Sequence, residues 1–314
     1  MSITTFFSGG AIDRAGHVRD NNELLRAAWT ASATRVIPIW DSCCLIENDT
    51  AVLLGTEELG EQAGLDNCIY LGVLNAVHIF AHALADQPED SKFNATAFAS
   101  FRGLLANLTE HDAALLAYAK GMVEWQIRHR YCGRCGAINN PETGGFVLAC
   151  NNSACGQRSF PRIDPAIIVL VADDKQCLLG QQATWPEGRF STIAGFVEPG
   201  ESLEDAVIRE VKEETNIDAT NARYLGSQPW PFPNAMMIGF HAKPGSYDIK
   251  LNDEELSEAG WFTRDEITSG DISLPPTTSI AFRLIEAWFD KWDGPALQTL
   301  KLSGDFSRRT GEHT

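Results

Sequence analysis

Four cysteines have the spacing of metal ligands. Cys132-Gly-Arg-Cys135 is followed, after fourteen intervening residues, by Cys150-Asn-Asn-Ser-Ala-Cys155. A closed structural zinc site needs four soft ligands in a tetrahedron, with no position left open for chemistry. A Cys-x-x-Cys turn followed by glycine (Gly136) presents two thiolates to one ion, and a second knuckle on a facing hairpin completes the set. That second knuckle has four intervening residues instead of two, and the competing reading is four unrelated loop cysteines. One structural Zn²⁺ per chain is the expectation, folding a ribbon. The other cysteines, Cys43, Cys44, Cys68 and Cys177, lie among apolar neighbours and read as buried reduced thiols. The start of the chain has no basic segment leading into an apolar one. A metal site is therefore expected over a disulfide framework, and a cytoplasmic location over export.

The second chemical signal is a run of glutamates, Arg209-Glu-Val-Lys-Glu-Glu-Thr215. On a helix, Glu210 and Glu214 stand about 40° apart. Leu203, Ala206, Val207 and Val211 mark the face to be buried, and the two carboxylates fall within that stripe. Glu213 lies on the flank, four residues after Arg209, where an ion pair can form. Burying ionised carboxylates without partners costs several kcal/mol, and converging ones repel. Divalent metal removes both difficulties. Mg²⁺ or Mn²⁺ held by carboxylates, waters and phosphate oxygens would polarise a phosphate and acidify a water. The competing reading is a solvated acidic helix.

These residues need elements to hold them. The helix is expected over 202–215, with Ser202 as N-cap and Asp205 three residues on, close to a capping box. Ahead of it, 165–173 reads as a buried strand, 177–182 as its hairpin partner across the turn at 173–175, and 188–196 as the next segment. Residues 223–230, 235–244 and 258–267 supply further strands, and 277–292 a terminal amphipathic helix. Toward the N-terminus, 21–30 reads as helix, 35–40, 43–48 and 50–55 as strands, and 97–130 as helical throughout. His78 and His82 have the spacing of a zinc-protease helix. Ile79 stands where its general base would be, so they read as core or surface residues.

Composition narrows the function classes. The 314 residues, 44% hydrophobic and 21% charged, suit a soluble chain of more than one domain. No run reaches the length of a membrane span. A formal charge of −17 opposes general nucleic-acid binding, so an anionic substrate needs metal ions or placed arginines, and a small-molecule pocket is expected.

Gly195, Glu201, Arg209-Glu210-Val211-Lys212-Glu213-Glu214 and Ile217 together resemble the Nudix box, G-x5-E-x7-R-E-apolar-x-E-E-x-G-apolar. Asn216 stands where the family has glycine, and asparagine best replaces glycine in a left-handed helix-ending conformation. Downstream, Ser-Gln228-Pro229-Trp230-Pro231-Phe232-Pro233-Asn234-Ala235 resembles the SQPWPFPxS signature of the NADH pyrophosphatase branch, with Ala235 in place of the serine. Read physically, the prolines make a stiff extended wall offering the Trp230 and Phe232 rings to a nucleotide and the Gln228 amide to its polar edge.

The resemblance implies a Nudix fold, a mixed sheet sandwiched by helices, preceded by a zinc ribbon and an N-terminal α/β domain. The boundaries expected are 1–126, 127–162, 163–292 and a tail, 293–314. It implies catalytic metal on Glu210, Glu213, Glu214, a later glutamate best matched by Glu255 (Glu254 and Glu258 in reserve), and the Ala194 carbonyl. Glu201 and Arg209 complete the catalytic set, with Glu213 a candidate for orienting the attacking water. Phe160, Ala281 and Arg102 fall where family members contact substrate. The activity implied is hydrolysis of the NADH pyrophosphate bond to AMP and reduced nicotinamide mononucleotide by a cytoplasmic homodimer. Two alternatives stay open: removal of NAD caps from RNA, for which Arg128, His129, Arg130 and Arg134 form a small basic cluster, and an interaction module with an inactive Nudix domain.

Overall fold

The computed structural model describes residues 3–60, 63–85, 98–104, 107–252 and 255–300. Contacts divide the chain into two units, one of Phe7–Ile163 with Trp230–Asn234 and one of Met1–Phe6, Asp164–Pro229 and Ala235–Thr314. In the first, α1 (Gly16–Arg19) leads to α2 (Asn22–Thr30), whose cap Asn21 accepts from the Glu23 and Leu24 amides. A sheet follows from β1 (Arg35–Trp40), β2 (Cys43–Glu47), β3 (Thr50–Ala51), β4 (Leu54–Gly55), β5 (Cys68–Leu74), β6 (Val77–Ala83) and β7 (Phe98–Ser100). Its order is β3-β2-β1-β6-β5, with β4 on β1 and β7 on β2. β1 runs parallel to β6 and antiparallel to β2, and its Val36, Ile37 and Ile39 are buried.

One expectation is corrected here. Residues 97–130 are not helical throughout. Phe98–Ser100 pairs with Cys43–Leu45, α3 (Phe101–Leu104) is one turn, and α4 (Glu110–Arg128) starts afresh where Thr109 accepts from the Asp112 amide. Sheet pairing at one end and a new N-cap at the other override the helical period. His78 and His82 lie on β6, in keeping with their reading as core or surface residues. His78 meets the Tyr70 hydroxyl at 3.1 Å, and buried His82 lies 3.6 Å from the Cys68 sulfur, which makes both structural. The unit closes in an antiparallel ribbon of β8 (Asn139–Glu142), β9 (Val147–Cys150) and β10 (Arg158–Ser159).

The second unit is built on β11 (Asp164–Val171), whose unbroken apolar run suits a strand covered on both faces. Neighbours point to opposite sides. Ile167, Val169 and Val171 join the core that contains Ala206, Val207 and Val211 of α5 (Leu203–Thr215). Ile168, Leu170 and Ala172 join the core that contains Leu284, Ile285 and Phe289. β11 is antiparallel to one neighbour in the sheet and parallel to the other. In chain order the strands are β12 (Gln176–Gln182), β13 (Ile193–Phe196), β14 (Ala219–Trp230), β15 (Ala235–Pro244) and β16 (Leu256–Thr263), with α6 (Arg264–Ser269) and α7 (Ile280–Phe289) after them. The sheet order is β13-β11-β15-β14. This is the mixed sheet between helices that the sequence implied.

The hairpin expected between β11 and β12 is a single bridge, Ala172 to Cys177. β12 then leaves to pair antiparallel with β16 along its whole length. Leu178 joins one core and Cys177 and Leu179 the other, so both faces of β12 are buried without β11 beside it. The last expected strand stops at Thr263, which caps α6. The expected tail falls largely on 301–314, outside the described residues. Among the described residues no helix is long and apolar enough to cross a membrane.

Candidate metal centre and carboxylate site

The cysteine tetrad is assembled within the first unit. The sulfurs of Cys132, Cys135, Cys150 and Cys155 all lie within 4.8 Å of one another. Cys132 and Cys135 sit on the turn before β8, Cys150 ends β9, and Cys155 follows on the second turn. The turns are tightened by Gly136 N–H to the Cys132 carbonyl at 2.9 Å and Cys155 N–H to the Asn152 carbonyl at 2.9 Å. Backbone N–H groups of Arg134 and Cys135 lower the Cys132 thiol to about 7, whereas burial pushes Cys150 up to about 12 and Cys155 is also raised, so the four thiols without an ion do not all favour the thiolate. Four convergent sulfurs with amide donors behind them fit a closed tetrahedral ion. The other four cysteines are free, with burial pushing Cys44 and Cys68 up to about 12 and Cys177 higher still.

The carboxylates are arranged differently. Ser202 and Asp205 form a full capping box, and Asn216 ends α5 at φ 61° with its N–H on the Lys212 carbonyl. The helix therefore begins and ends where the sequence placed it. Glu214 is 4% exposed in the buried stripe, whereas the Glu213 side chain is 56% exposed on the flank. Arg209 is the hub. Its guanidinium grips Glu201 through two bonds, at 3.0 and 2.6 Å, and reaches Glu210 at 2.8 Å, Glu213 at 3.1 Å and the Phe196 carbonyl at 2.9 Å. Glu201 also accepts from the Glu198 amide at 2.7 Å. These bonds, Arg209 foremost, pull the Glu201 carboxyl down to about 2.

Glu210 is pushed the other way. Burial raises its carboxyl above the ordinary glutamate range, opposed by Arg209 and reinforced by the charges of Glu213 and Glu255. Gly195 explains how it fits, since a Cβ there would overlap the Glu210 carboxylate. Ala194, one residue earlier on β13, carries the carbonyl expected to join the site. Glu255, just before β16, is thus within electrostatic reach of Glu210. Glu258 is exposed on β16 opposite Gln181, and Glu254 lies outside the described residues. A half-buried carboxylate with a raised affinity for protons, close to two other acids, has the donor chemistry of a divalent-cation ligand. Among the described residues, no set of three or more carboxylates is drawn together as the sulfurs are.

The aromatic segment departs from the extended wall expected. Gln228 is wholly buried on β14, donating to the Phe6 and Thr278 carbonyls and accepting from the Ile280 amide at 2.8 Å. Its amide holds the start of α7, where Ala281 is buried, and is not turned to a free edge. Pro231–Asn234 form a turn between β14 and β15, and the Phe232–Pro233 peptide is cis. In the first unit, the Phe232 ring lies 5.1 Å from Trp230 and 5.9 Å from Phe101, with the Arg102 guanidinium 4.6 Å above it. Asn234 donates to the Arg162 carbonyl. Phe160, after β10, is 64% exposed.

Sequence reading missed the Phe196 carbonyl and Glu198 amide that complete the Arg209 network, because backbone groups leave no residue signature. It also missed Lys120 and Glu124. Their signal was present, as two charges one turn apart in an otherwise apolar stretch of α4.

Comparison with known proteins follows the same lines. Residues 162–287 match the NUDIX domain family, and residues 33–125 match the NADH pyrophosphatase-like rudimentary NUDIX domain. The chain is 37% identical over 292 residues to the NAD-capped RNA hydrolase NudC of Mycobacterium bovis, spanning 88% of this chain and 92% of that protein. It is 36% identical over the same length to the Mycobacterium tuberculosis protein of that name. To the human NAD-capped RNA hydrolase NUDT12 it is 38% identical over 199 residues, 59% of this chain and 43% of that protein.

Proposed function

The chain belongs to the Nudix hydrolase family, and from that premise we propose that it cleaves the pyrophosphate bond of NADH, and of NAD⁺ and related dinucleotides, to AMP and the nicotinamide mononucleotide. The observation that supports this best is the Arg209 network on α5. It fixes Glu201, Glu210 and Glu213 about one guanidinium while Glu214 is buried beside them. Decay of the site would not keep four acids and their one cation in mutual register, which argues against an inactive interaction module.

Glu210, Glu213, Glu214, Glu255 and the Ala194 carbonyl would hold Mg²⁺ or Mn²⁺. Bound there, the ion supplies charge neutralisation at the phosphates and acidifies water. The chain's own part is to place these groups. Arg209 and Glu201 lock the 196–201 loop onto the helix, Gly195 leaves room for the Glu210 carboxylate, and Glu213, exposed on the flank, orients the attacking water. Cys132, Cys135, Cys150 and Cys155 would hold Zn²⁺ as a structural ion. Trp230 and Phe232, with Phe160, offer ring faces to the base or nicotinamide. Pro229, Pro231, Pro233, Asn234 and Ala235 shape that segment, Gln228 braces it from behind, and Arg102 and the Ala281 backbone contribute the remaining contacts. The units of sequence are 1–126, 127–162, 163–292 and 293–314, and the protein works as a cytoplasmic homodimer.

A second reading uses the same site on the NAD-capped 5′ ends of RNA. Two observations favour it: the activity for which the relatives are named, and the exposure of Arg128, Arg130 and Arg134 at the end of α4 and the first knuckle. The deciding experiment incubates purified protein and Mg²⁺ or Mn²⁺ with NADH, NAD⁺ and NAD-initiated RNA, and identifies products by mass. AMP and reduced nicotinamide mononucleotide from NADH are expected. Intact dinucleotides, or release of free nicotinamide, would overturn the reading.

A further inference from the structure

The turn Trp230–Asn234 is poor in its own backbone donors, since Pro231 and Pro233 have no N–H. The Phe232 amide bonds back to the Trp230 carbonyl at 2.8 Å. The Pro231 carbonyl has a different kind of partner. The Lys120 ammonium donates to it at 3.0 Å and also donates to Glu124, one turn along α4. Lys120 is 4% exposed and Glu124 7%, and the second oxygen of Glu124, Oε2, has no hydrogen-bond partner among the described residues. Lys120 Nζ also lies 5.8 Å from the centroid of the Phe232 ring.

A buried ion pair is weak evidence for stability, because apolar residues of similar size pack a helix at least as well. Apolar residues cannot donate to Pro231. The charge is therefore spent on position, and the ammonium reaches the carbonyl between the two rings that the proposed function turns toward substrate.

We propose that Lys120 and Glu124 form a positioning pair. Glu124 aims Lys120, and Lys120 anchors the Pro231 carbonyl, so that Trp230 and Phe232 are held ready for a dinucleotide's base. This rests on the functional reading above only for its effect on substrate, since the anchoring itself is measurable without turnover.

Hydrogen exchange of the whole protein tests the anchor first. The Phe232 amide, bonded to the Trp230 carbonyl, should be protected to the level of α4; exchange at the rate of an open loop would overturn the proposal with no variant needed. In the apolar double variant Lys120→Met/Glu124→Met, exchange at the Phe232 amide should rise about tenfold while α4 stays protected, and the single variant Lys120→Arg, with Glu124 in place, should keep wild-type protection. On NADH the double variant should show KM raised about tenfold with kcat within twofold, and Lys120→Arg should keep KM near wild type. Unchanged protection and KM in the folded double variant, or loss of protection in Lys120→Arg, would overturn the pair's role. Wild-type protein that cleaves no dinucleotide would instead overturn the functional reading, leaving the exchange result to decide the anchor.

Discussion

The cysteine tetrad and the glutamate helix are both candidate cation sites, and they are prepared in opposite ways. In the ribbon, four sulfurs already converge within 4.8 Å, braced by two backbone turns. At α5 the acids stand apart, and Glu210 and Glu213 of the helix, with Glu201 of the preceding loop, are tied to an arginine that neutralises part of their charge. A structural ion needs a closed set of ligands, whereas a reacting site must admit substrate and water, so its acids cannot saturate one ion by themselves. On the proposed function, the difference would separate a site that folds from a site that works, and each should be open to disturbance without the other.

The largest effect belongs to the ribbon. Replacing Cys150 by Ser should reduce zinc from one per chain to none and remove binding free energy on the order of 10 kcal/mol from the ribbon's folding. Metal analysis and hydrogen exchange across β8–β10 report it, and retained zinc with intact protection would break the contrast. Next comes Glu214→Gln. Turnover should fall about 10²–10³-fold, with zinc content and melting temperature at wild-type values, because one preorganised charge is lost and nothing is unfolded. A variant of normal activity would remove Glu214 from the mechanism.

A third test reads acid sensitivity in the unit that carries the helix. Burial holds His241 down at about 4, with Nε2–H donating to the Leu284 carbonyl at 2.8 Å. Its folded value lies below the ordinary 6.5, so the unfolded chain takes up the proton first. Stability is full above pH 6.5 and is lost as pH falls toward about 4, by up to about 3 kcal/mol. Denaturant melts of wild type and His241→Gln should converge over that window; parallel curves would show that the imidazole is not responsible. The smallest effect is at Asn216, the one departure within the box. At φ 61° glycine should be neutral or slightly stabilising, and alanine should cost about 1 kcal/mol. Equal melts for all three would deny the strain.

Much of the carboxylate site was legible because its cues are short-range. Ser202 and Asp205 set the start of α5, Asn216 its end, and the alternation of Ala206, Val207 and Val211 with Glu210 and Glu214 gave the buried face, all within a few turns of one helix. The ribbon was legible for the same reason, since each pair of ligands lies on one turn. Beyond that range the reading failed. Gln228 looked like a substrate ligand because its partners Phe6, Thr278 and Ile280 are remote in sequence. Residues 177–182 looked like the hairpin partner of β11 because nearness along the chain is the only pairing signal a single strand offers.

Sequence alone determined the termini of α5, the cysteine knuckles, the two-faced apolar pattern of β11 and the acids that fall on the buried stripe of α5, for each is set by dihedral preference, capping or periodicity over adjacent residues. Tertiary structure alone decided that β12 pairs with β16 some eighty residues away, that Phe98–Ser100 becomes a strand on β2, and that Trp230–Asn234 is gripped by α3 and α4. Those choices depend on which distant surfaces can be buried together and which backbone groups then find partners, and no local window contains both halves of such a contact.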